Sequence, residues 1–352
     1  MIPRVMSGVY LTRHGGPDAL VWCDDIPVPS PTATQVLVKV LAAGVNNTDI
    51  NTRVGWYSSD FSGATEDVGE NTDIETGGWG GAIEFPRIQG GDICGAVVAV
   101  GESVTSIELG ARVTSQINSP RPTLENPFAF VALGSELDGA FAEYCVLDEG
   151  EIFDVSASPL SNEEIAAIPC GFGTAYNLLN RSGVREGHRV LITGASGVVG
   201  LAAVQLAAKM GARVTGIAAD EKAPSVYQAG AALVLPRSTA LPKRQFDVVI
   251  DVVAGSTWPD LIRALVPGGH YAVSGAIAGP IVQADLREIY LTDITIHGCS
   301  FMPREVFSGL IDLVIEGQVK PSIAKTYPLR DIAQAQADFR SKKYAGKLIL
   351  VP

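Results

Sequence analysis

The segment HRVLITGASGVVGLAAVQLAAKMGARVTGIAADEK, His188 to Lys222, reads as a strand, a glycine turn, a helix and a second strand. Val190, Leu191, Ile192 and Thr193 form a β-rich run that meets Gly194-Ala-Ser-Gly197-Val-Val-Gly200. A helix of small apolar residues follows, and Ala212 to Ala218 returns as a strand parallel to the first. Glycine at 197 lets a pyrophosphate approach the backbone, and glycine at 200 lets helix and strand pack closely. The helix N-terminus supplies unpaired N–H groups and the positive end of its dipole. A glycine triplet alone is a weak sign. Set between a strand and a helix in a βαβ unit of this length, it marks a dinucleotide site.

Outside this segment the composition sets bounds. A chain of 352 residues has room for two domains and a large core. Its 47% hydrophobic and 18% charged residues are those of a soluble globular protein. A net charge of −12 and the lack of any basic run argue against nucleic acid as a partner. No apolar run reaches the roughly 20 residues of a membrane span, and the N-terminus lacks the apolar core of a secretory signal. Cysteines 23, 94, 145, 170 and 299 lie far apart with no CxxC pair, so the expected compartment is the reducing cytoplasm.

Up to about residue 155 the chain reads as β-rich, with strands expected at Val36–Leu41, Cys94–Val100 and Phe141–Leu147. From Asn162 apolar strands alternate with helices: Arg189–Thr193, Arg213–Ile217, Ala232–Leu235, Phe246–Asp251, His270–Ser274 and Ile294–Cys299. Six strands with crossover helices make a doubly wound parallel sheet, so the fold class is α/β. An amphipathic helix, Arg304 to Glu316, and a closing strand, Lys347 to Val351, read as a return to the first domain. The expected domains are 1–160 with 306–352, and 161–305. The four histidines (14, 188, 270, 297) are scattered and read as structural or exposed.

One stretch stands apart. Between Gly55 and Pro86 lie seven acids (Asp60, Glu66, Asp67, Glu70, Asp73, Glu75, Glu84), no basic residue and the aromatics Trp56, Tyr57, Phe61 and Trp79. It reads either as a solvated insertion or as a lid whose aromatics wall a substrate cleft.

The second strand of the glycine unit ends at Ala218, where NAD-binding folds place an acid on the ribose 2′-OH. Lys222 lies just beyond, and Arg237 follows the third strand. Alanine in place of the carboxylate, with cations nearby, favours a 2′-phosphate and hence NADPH. The counter-reading has Asp220 or Glu221 reaching back to the ribose.

Several segments together resemble one family. They are Leu41-Ala-Ala-Gly-Val-Asn46-Asn-Thr-Asp49, Phe85-Pro-Arg-Ile-Gln-Gly90-Gly-Asp92-Ile-Cys-Gly95, Gly110-Ala-Arg-Val113, Ile168-Pro-Cys170-Gly-Phe-Gly-Thr174, the glycine turn, and Gly346-Lys347-Leu-Ile-Leu. In this order they resemble the medium-chain dehydrogenase/reductase superfamily, and within it the quinone oxidoreductase-like members. The resemblance implies a GroES-like catalytic domain interrupted by a Rossmann domain, and a homodimer formed through Ile294 to Cys299. It also implies that Thr174 faces the nicotinamide and that Ser196, Gly197, Val198 and Val199 hold the pyrophosphate. Ser274 and Gly275 would lie where the two cofactor halves divide. Lys347 would stand near the cofactor, or else be a surface lysine.

Zinc-dependent members of that family carry a cysteine, a histidine and a second cysteine where this chain has Asn46, Gly91 beside Asp92, and Cys170. Only Cys170 matches, and a catalytic zinc needs about three protein ligands. The four cysteines of the structural zinc lobe are missing from Pro120 to Leu133. No metal is therefore expected. Without one, charge developing on a substrate oxygen needs hydrogen-bond donors. The candidates are Asn46, which close quinone reductases share, and Tyr57, since the tyrosine those relatives carry five positions on is Asn51 here. Asn46 can also be read as tying down a turn, and Tyr57 as a packing residue.

The resulting expectation is an NADPH-dependent reductase of a quinone or an α,β-unsaturated carbonyl compound, acting on a small molecule. The alternatives are an alcohol or aldehyde dehydrogenase with a degenerate zinc site, and a non-catalytic NADPH-binding module.

Overall fold

The computed structural model describes residues 1–58, 61–65 and 77–352. Two compact units emerge. One takes the described residues up to 61, those to 170, and 303–352; the other is built on 171–302.

The second unit is a six-stranded parallel sheet. Across it the strands run Leu233–Pro236, Arg213–Ala218, Arg189–Ile192, Phe246–Asp251, Leu265–Val273 and Thr295–Gly298. This order reverses between Arg189–Ile192 and Phe246–Asp251, which places a crevice at the carboxyl ends of those two strands. Val190, Leu191 and Ile192 are wholly buried, as expected for a parallel strand covered on both faces. The helix Val198–Lys209 buries Gly200, Leu201, Ala202, Ala203, Val204, Leu206 and Ala207. Its small side chains let it lie close to the strands beside it. The fifth strand begins at Leu265, earlier than the apolar run suggested. The segment Pro267-Gly268-Gly269 reads as a break, yet it forms only a register irregularity against Phe246–Val248.

In the first unit a mixed sheet runs Ile152–Asp154, Arg112–Ser115, Asp92–Val100, Gln35–Gly44, Lys347–Val351 and Ile323–Pro328, with Tyr144–Asp148 also on Gln35–Gly44. Val36, Leu37 and Val38 are all buried, so this strand is covered on both faces. Burying each such aliphatic side chain contributes roughly 1.5–3 kcal/mol. The register positions the chemistry. Gly44 pairs with Asp92 on one side and with Ile349 on the other, and Val45 N–H donates to Leu348 O at 3.0 Å. Asp92, Asn46 and Lys347 therefore meet at the ends of three adjacent strands.

The units divide after Cys170 and after Met302 rather than after 160 and 305. The helix Asn162–Ala166 explains the first shift, because it packs on the strands Gln35–Gly44 and Asp92–Val100. Among the described residues no helix is long and apolar enough to cross a membrane.

Candidate functional site

The crevice of the second unit is lined by the glycine turn. Gly194 has φ +55°, a left-handed conformation that glycine adopts without strain. Gly200 has no room for a side chain: a Cβ there would lie 2.2 Å from Gly194 O. At Gly197, the N-cap of the helix, the nearest atom to an added Cβ is Gly194 O at 3.3 Å, and the residue is exposed. The open face of Gly197 beside the helix N-terminus is a cradle that fits a pyrophosphate. Ser196 is buried in the turn, while Val198 and Val199 are half-buried. Ala218 pairs with Pro236, so the exposed Arg237 follows at the same sheet edge, and the half-buried Lys222 closes the turn Asp220–Lys222. Ser274 and Gly275 follow the strand Leu265–Val273, and a Cβ on Gly275 would meet Val252 O at 3.1 Å. Thr174 is half-buried on the helix Pro169–Arg181.

Sequence reasoning missed Asp251, which ends the strand Phe246–Asp251 with no exposed surface. Its Oδ1 accepts from Thr193 Oγ1 and from Val253 N at 2.9 Å. Its Oδ2 accepts from Tyr271 Oη at 2.5 Å and from Ala254 N at 3.2 Å. The carboxylate thus pins the loop after its own strand, where Ala254 is held at φ +55°. Burial, and then the charge of Asp251, raise the pKa of Tyr271. An acid closing an otherwise apolar strand was the available signal. Two of the histidines meet. His270 and His297 lie on neighbouring parallel strands with Nδ1 and Nε2 3.0 Å apart, a pairing that their spacing in sequence hides.

The first unit holds a buried polar cluster. Asn46 caps the helix Asn47–Val54, and its N–H donates to Asp49 Oδ2 at 2.8 Å. Its side chain is engaged at both ends: Oδ1 accepts from Lys347 Nζ, and Nδ2 donates to Asp92 Oδ2 at 2.9 Å. The other amide hydrogen has only a 3.5 Å contact to Gly44 O. Asp92 Oδ2 also pairs with Lys347 Nζ, and Oδ1 accepts from Cys170 N at 2.6 Å. Of the two readings of Lys347, the surface lysine is corrected: its side chain is buried in this cluster. The side chain is 1% exposed and Asp92 is 0% exposed, because the register draws the closing strand's first residue inward. Removing one partner of a pair so buried leaves a bare charge and costs about 3–5 kcal/mol.

Burial lifts the Asp49 carboxyl to about 7, although the Asn46 N–H opposes the shift. Burial, and then the Asp92 charge, push the Cys170 thiol up to about 12. The donor set does not fit a zinc ion: Cys170 is its one soft ligand, Asn46 is a poor one, and both Asp92 oxygens are taken by Asn46, Lys347 and the Cys170 N–H. Among the described residues no group of three His, Cys, Asp or Glu side chains is placed to hold a metal.

Tyr57 is positioned by Gly55, the left-handed C-cap (φ +73°) that turns the chain out of the helix. The Asn51 side chain hydrogen-bonds the Tyr57 hydroxyl. Asn51 Oδ1 has no partner among the described residues, so the Asn51 amide nitrogen is the donor and the phenol O–H is left to donate. Burial raises the pKa of Tyr57, keeping it protonated. Its ring lies 5.5 Å from Trp56 and stacks on Trp79 at 6.4 Å, and Trp79 meets Phe130 at 5.7 Å. These rings form an aromatic wall. Of the acidic stretch, Glu84 is described, while Asp60, Glu66, Asp67, Glu70, Asp73 and Glu75, and with them the lid reading, lie outside the described residues.

Comparison with known proteins matches the same two regions. Residues 32–157 match the alcohol dehydrogenase GroES-like domain, and residues 198–316 match the zinc-binding dehydrogenase family. An acryloyl-coenzyme A reductase of Metallosphaera sedula is 30% identical over 93% of this chain and 95% of its own length. A quinone oxidoreductase of Lama guanicoe is 28% identical over 99% of this chain and 98% of its own. A solved structure from Sinorhizobium meliloti, described as a candidate alcohol dehydrogenase, superposes with a TM-score of 0.87. It is 37% identical and covers 100% of this chain and 98% of that one.

Proposed function

Because this chain belongs to the medium-chain dehydrogenase/reductase superfamily, we propose that it is an NADPH-dependent reductase of a quinone or an α,β-unsaturated carbonyl compound, working without a metal. The observation that supports this reading is the buried Asn46–Asp92–Lys347 cluster, in which Asn46 and Asp92 are tied to each other and to Lys347 rather than left open as ligands. With no Lewis acid, the reaction must be one whose developing charge hydrogen-bond donors can manage. Conjugated acceptors meet that condition, because addition at the far carbon spreads the charge over an enolate or a quinol oxygen. The names of two relatives, a quinone oxidoreductase and an acryloyl-coenzyme A reductase, point to the same chemistry.

The nicotinamide supplies the hydride. In this reading Gly197 and the helix N-terminus bind its pyrophosphate, with Ser196, Val198 and Val199 around it. Ala218 leaves the ribose 2′ position free of negative charge, while Lys222 and Arg237 favour a phosphate there. Tyr57 donates its hydroxyl proton toward the substrate oxygen, aligned by Asn51. Asn46 offers its second amide hydrogen to that oxygen. The product gains a hydride on carbon and a proton from Tyr57, which solvent replaces.

The test is NADPH and NADH oxidation with a quinone, an enone, an enoyl thioester and a simple aldehyde. Turnover is expected on the conjugated acceptors, with NADPH favoured in kcat/KM by about tenfold. Turnover confined to simple aldehydes or alcohols would replace this reading with an alcohol dehydrogenase. Tight NADPH binding without turnover would replace it with a binding module. Asn46→Ala and Tyr57→Phe are each expected to lower kcat/KM, and both assignments fail if both variants stay within about threefold of wild type.

A further inference from the structure

We infer that Lys347 is a positioning residue of this site, acting through the Asn46 amide rather than on the cofactor. Three side chains form a closed circuit. Lys347 Nζ pairs with Asp92 Oδ2 and donates to Asn46 Oδ1, and Asn46 Nδ2 returns a hydrogen bond to the same Asp92 oxygen at 2.9 Å. An amide is the neutral group that can accept from an ammonium and donate to a carboxylate at once; a thiol at position 46 would do both poorly. The fourth contact, Cys170 N to Asp92 Oδ1 at 2.6 Å, locks the carboxylate from the other side.

The path to the cluster is built for this lysine. A Cβ on Gly44 would lie 2.4 Å from Lys347 Cε and 2.6 Å from Asp92 Oδ2, so only glycine at 44 lets the ammonium reach its partners. The circuit commits the amide's oxygen and one of its hydrogens, leaving a single N–H whose partner, Gly44 O, is a long 3.5 Å away and can be exchanged for a closer acceptor. An ammonium bound to the amide oxygen also polarises that N–H, and such chains strengthen cooperatively. Lys347 is in this sense a positioning residue: it fixes the direction and the strength of the Asn46 donor. The inference rests on the metal-free reading of the reaction proposed above.

The test compares Lys347→Met with the double variant Asp92→Asn/Lys347→Met. The single variant is expected to lose thermal stability, while the double, with no bare charge, recovers to within about 3 °C of wild type. In the double variant kcat is expected to fall about thirtyfold while the KM for NADPH stays within about twofold. A double variant with kcat within about threefold of wild type overturns the inference, as does a loss confined to the NADPH KM. A single variant as stable as wild type overturns it too. Independently of turnover, anaerobic dialysis of the wild-type protein against Co2+ is expected to leave less than about a tenth of an equivalent bound. Stoichiometric cobalt with a thiolate absorption band would overturn the inference. If no acceptor is turned over, the proposed function fails, while the cobalt and stability measurements still decide this point.

Discussion

A buried lysine such as Lys347 is tolerated only where its charge is met, and the partner that meets it is invisible in one dimension. Asn46 and Lys347 are 301 positions apart, and nothing in either neighbourhood announces the other. The Arg189–Asp247 pair is hidden in the same way, its partners being 58 positions apart on neighbouring strands. Arg189 grips Asp247 through Nε at 3.0 Å and Nη2 at 2.9 Å, and these bonds hold the Asp247 carboxyl below its usual range. A lowered native pKa makes this stabilisation present above the unfolded carboxylate value and lost as pH falls through the native one. Asp247→Asn is expected to cost about 0.5–1 kcal/mol in urea unfolding near pH 7, shrinking as the pH falls below the unfolded carboxylate value and through the lowered native one. A cost that stays constant with pH would show that the pair does not act through charge. The thiols divide as clearly. Burial pushes Cys94 and Cys145 up to about 12, as it does Cys170, and Cys299 is raised as well. Cys23 alone is not fully buried. An aromatic disulfide reagent is expected to modify Cys23 in the folded protein and the other four only on unfolding. Rapid native reaction at Cys170 would contradict its account as a buried thiol.

Gly197 and Gly200 divide two jobs as their places in the sequence motif suggest. Gly200→Ala puts its Cβ 2.2 Å from a backbone oxygen, so the helix Val198–Lys209 must move off its strand. Gly197→Ala meets nothing closer than 3.3 Å and fills only the open cradle. Gly200→Ala is therefore expected to lower thermal stability by several degrees, roughly as overpacking of about 1–3 kcal/mol would. Gly197→Ala should leave stability within about 0.5 kcal/mol yet weaken cofactor binding about tenfold or more, read by NADPH fluorescence titration. Equal effects on both quantities in both variants would refute the division. The βαβ pattern was legible because parallel strands are continuous apolar runs and the crossover helix has a period of its own. The fifth strand's early start at Leu265 was not, because its pairing partner overrides the Pro-Gly-Gly signal. Asp251 escaped notice for a related reason. Its four donors come from Thr193, Val253, Ala254 and Tyr271, which only the sheet brings together.

For the molecule as a whole, the sheet edge of the second unit predicts association. Among the described residues the outermost strand, Thr295–Gly298, pairs only with Leu265–Val273. Beside it Leu286, Tyr290 and Leu291 are each more than 60% exposed, and Ile296 on the strand is 45% exposed. An edge with unpaired backbone and exposed apolar side chains is the kind of surface a second copy covers. A homodimer is expected in sedimentation at micromolar concentration, and Ile296→Asp should shift it toward monomer. A monomeric wild type would dismiss this surface as the contact.

The Lys347–Asp92 pair also bears on the order in which the chain is made. Asp92 and Asn46 leave the ribosome long before Lys347, with the whole second unit synthesised in between. Until the strand Lys347–Val351 docks against Gln35–Gly44, the growing first unit would have to bury a carboxylate with no counter-ion. Full burial of Asp92 is thus expected to wait for that strand, whatever the order in which the second unit folds. Docking of this strand extends the sheet and delivers the cation in one step, so the pair and the strand pairing form together.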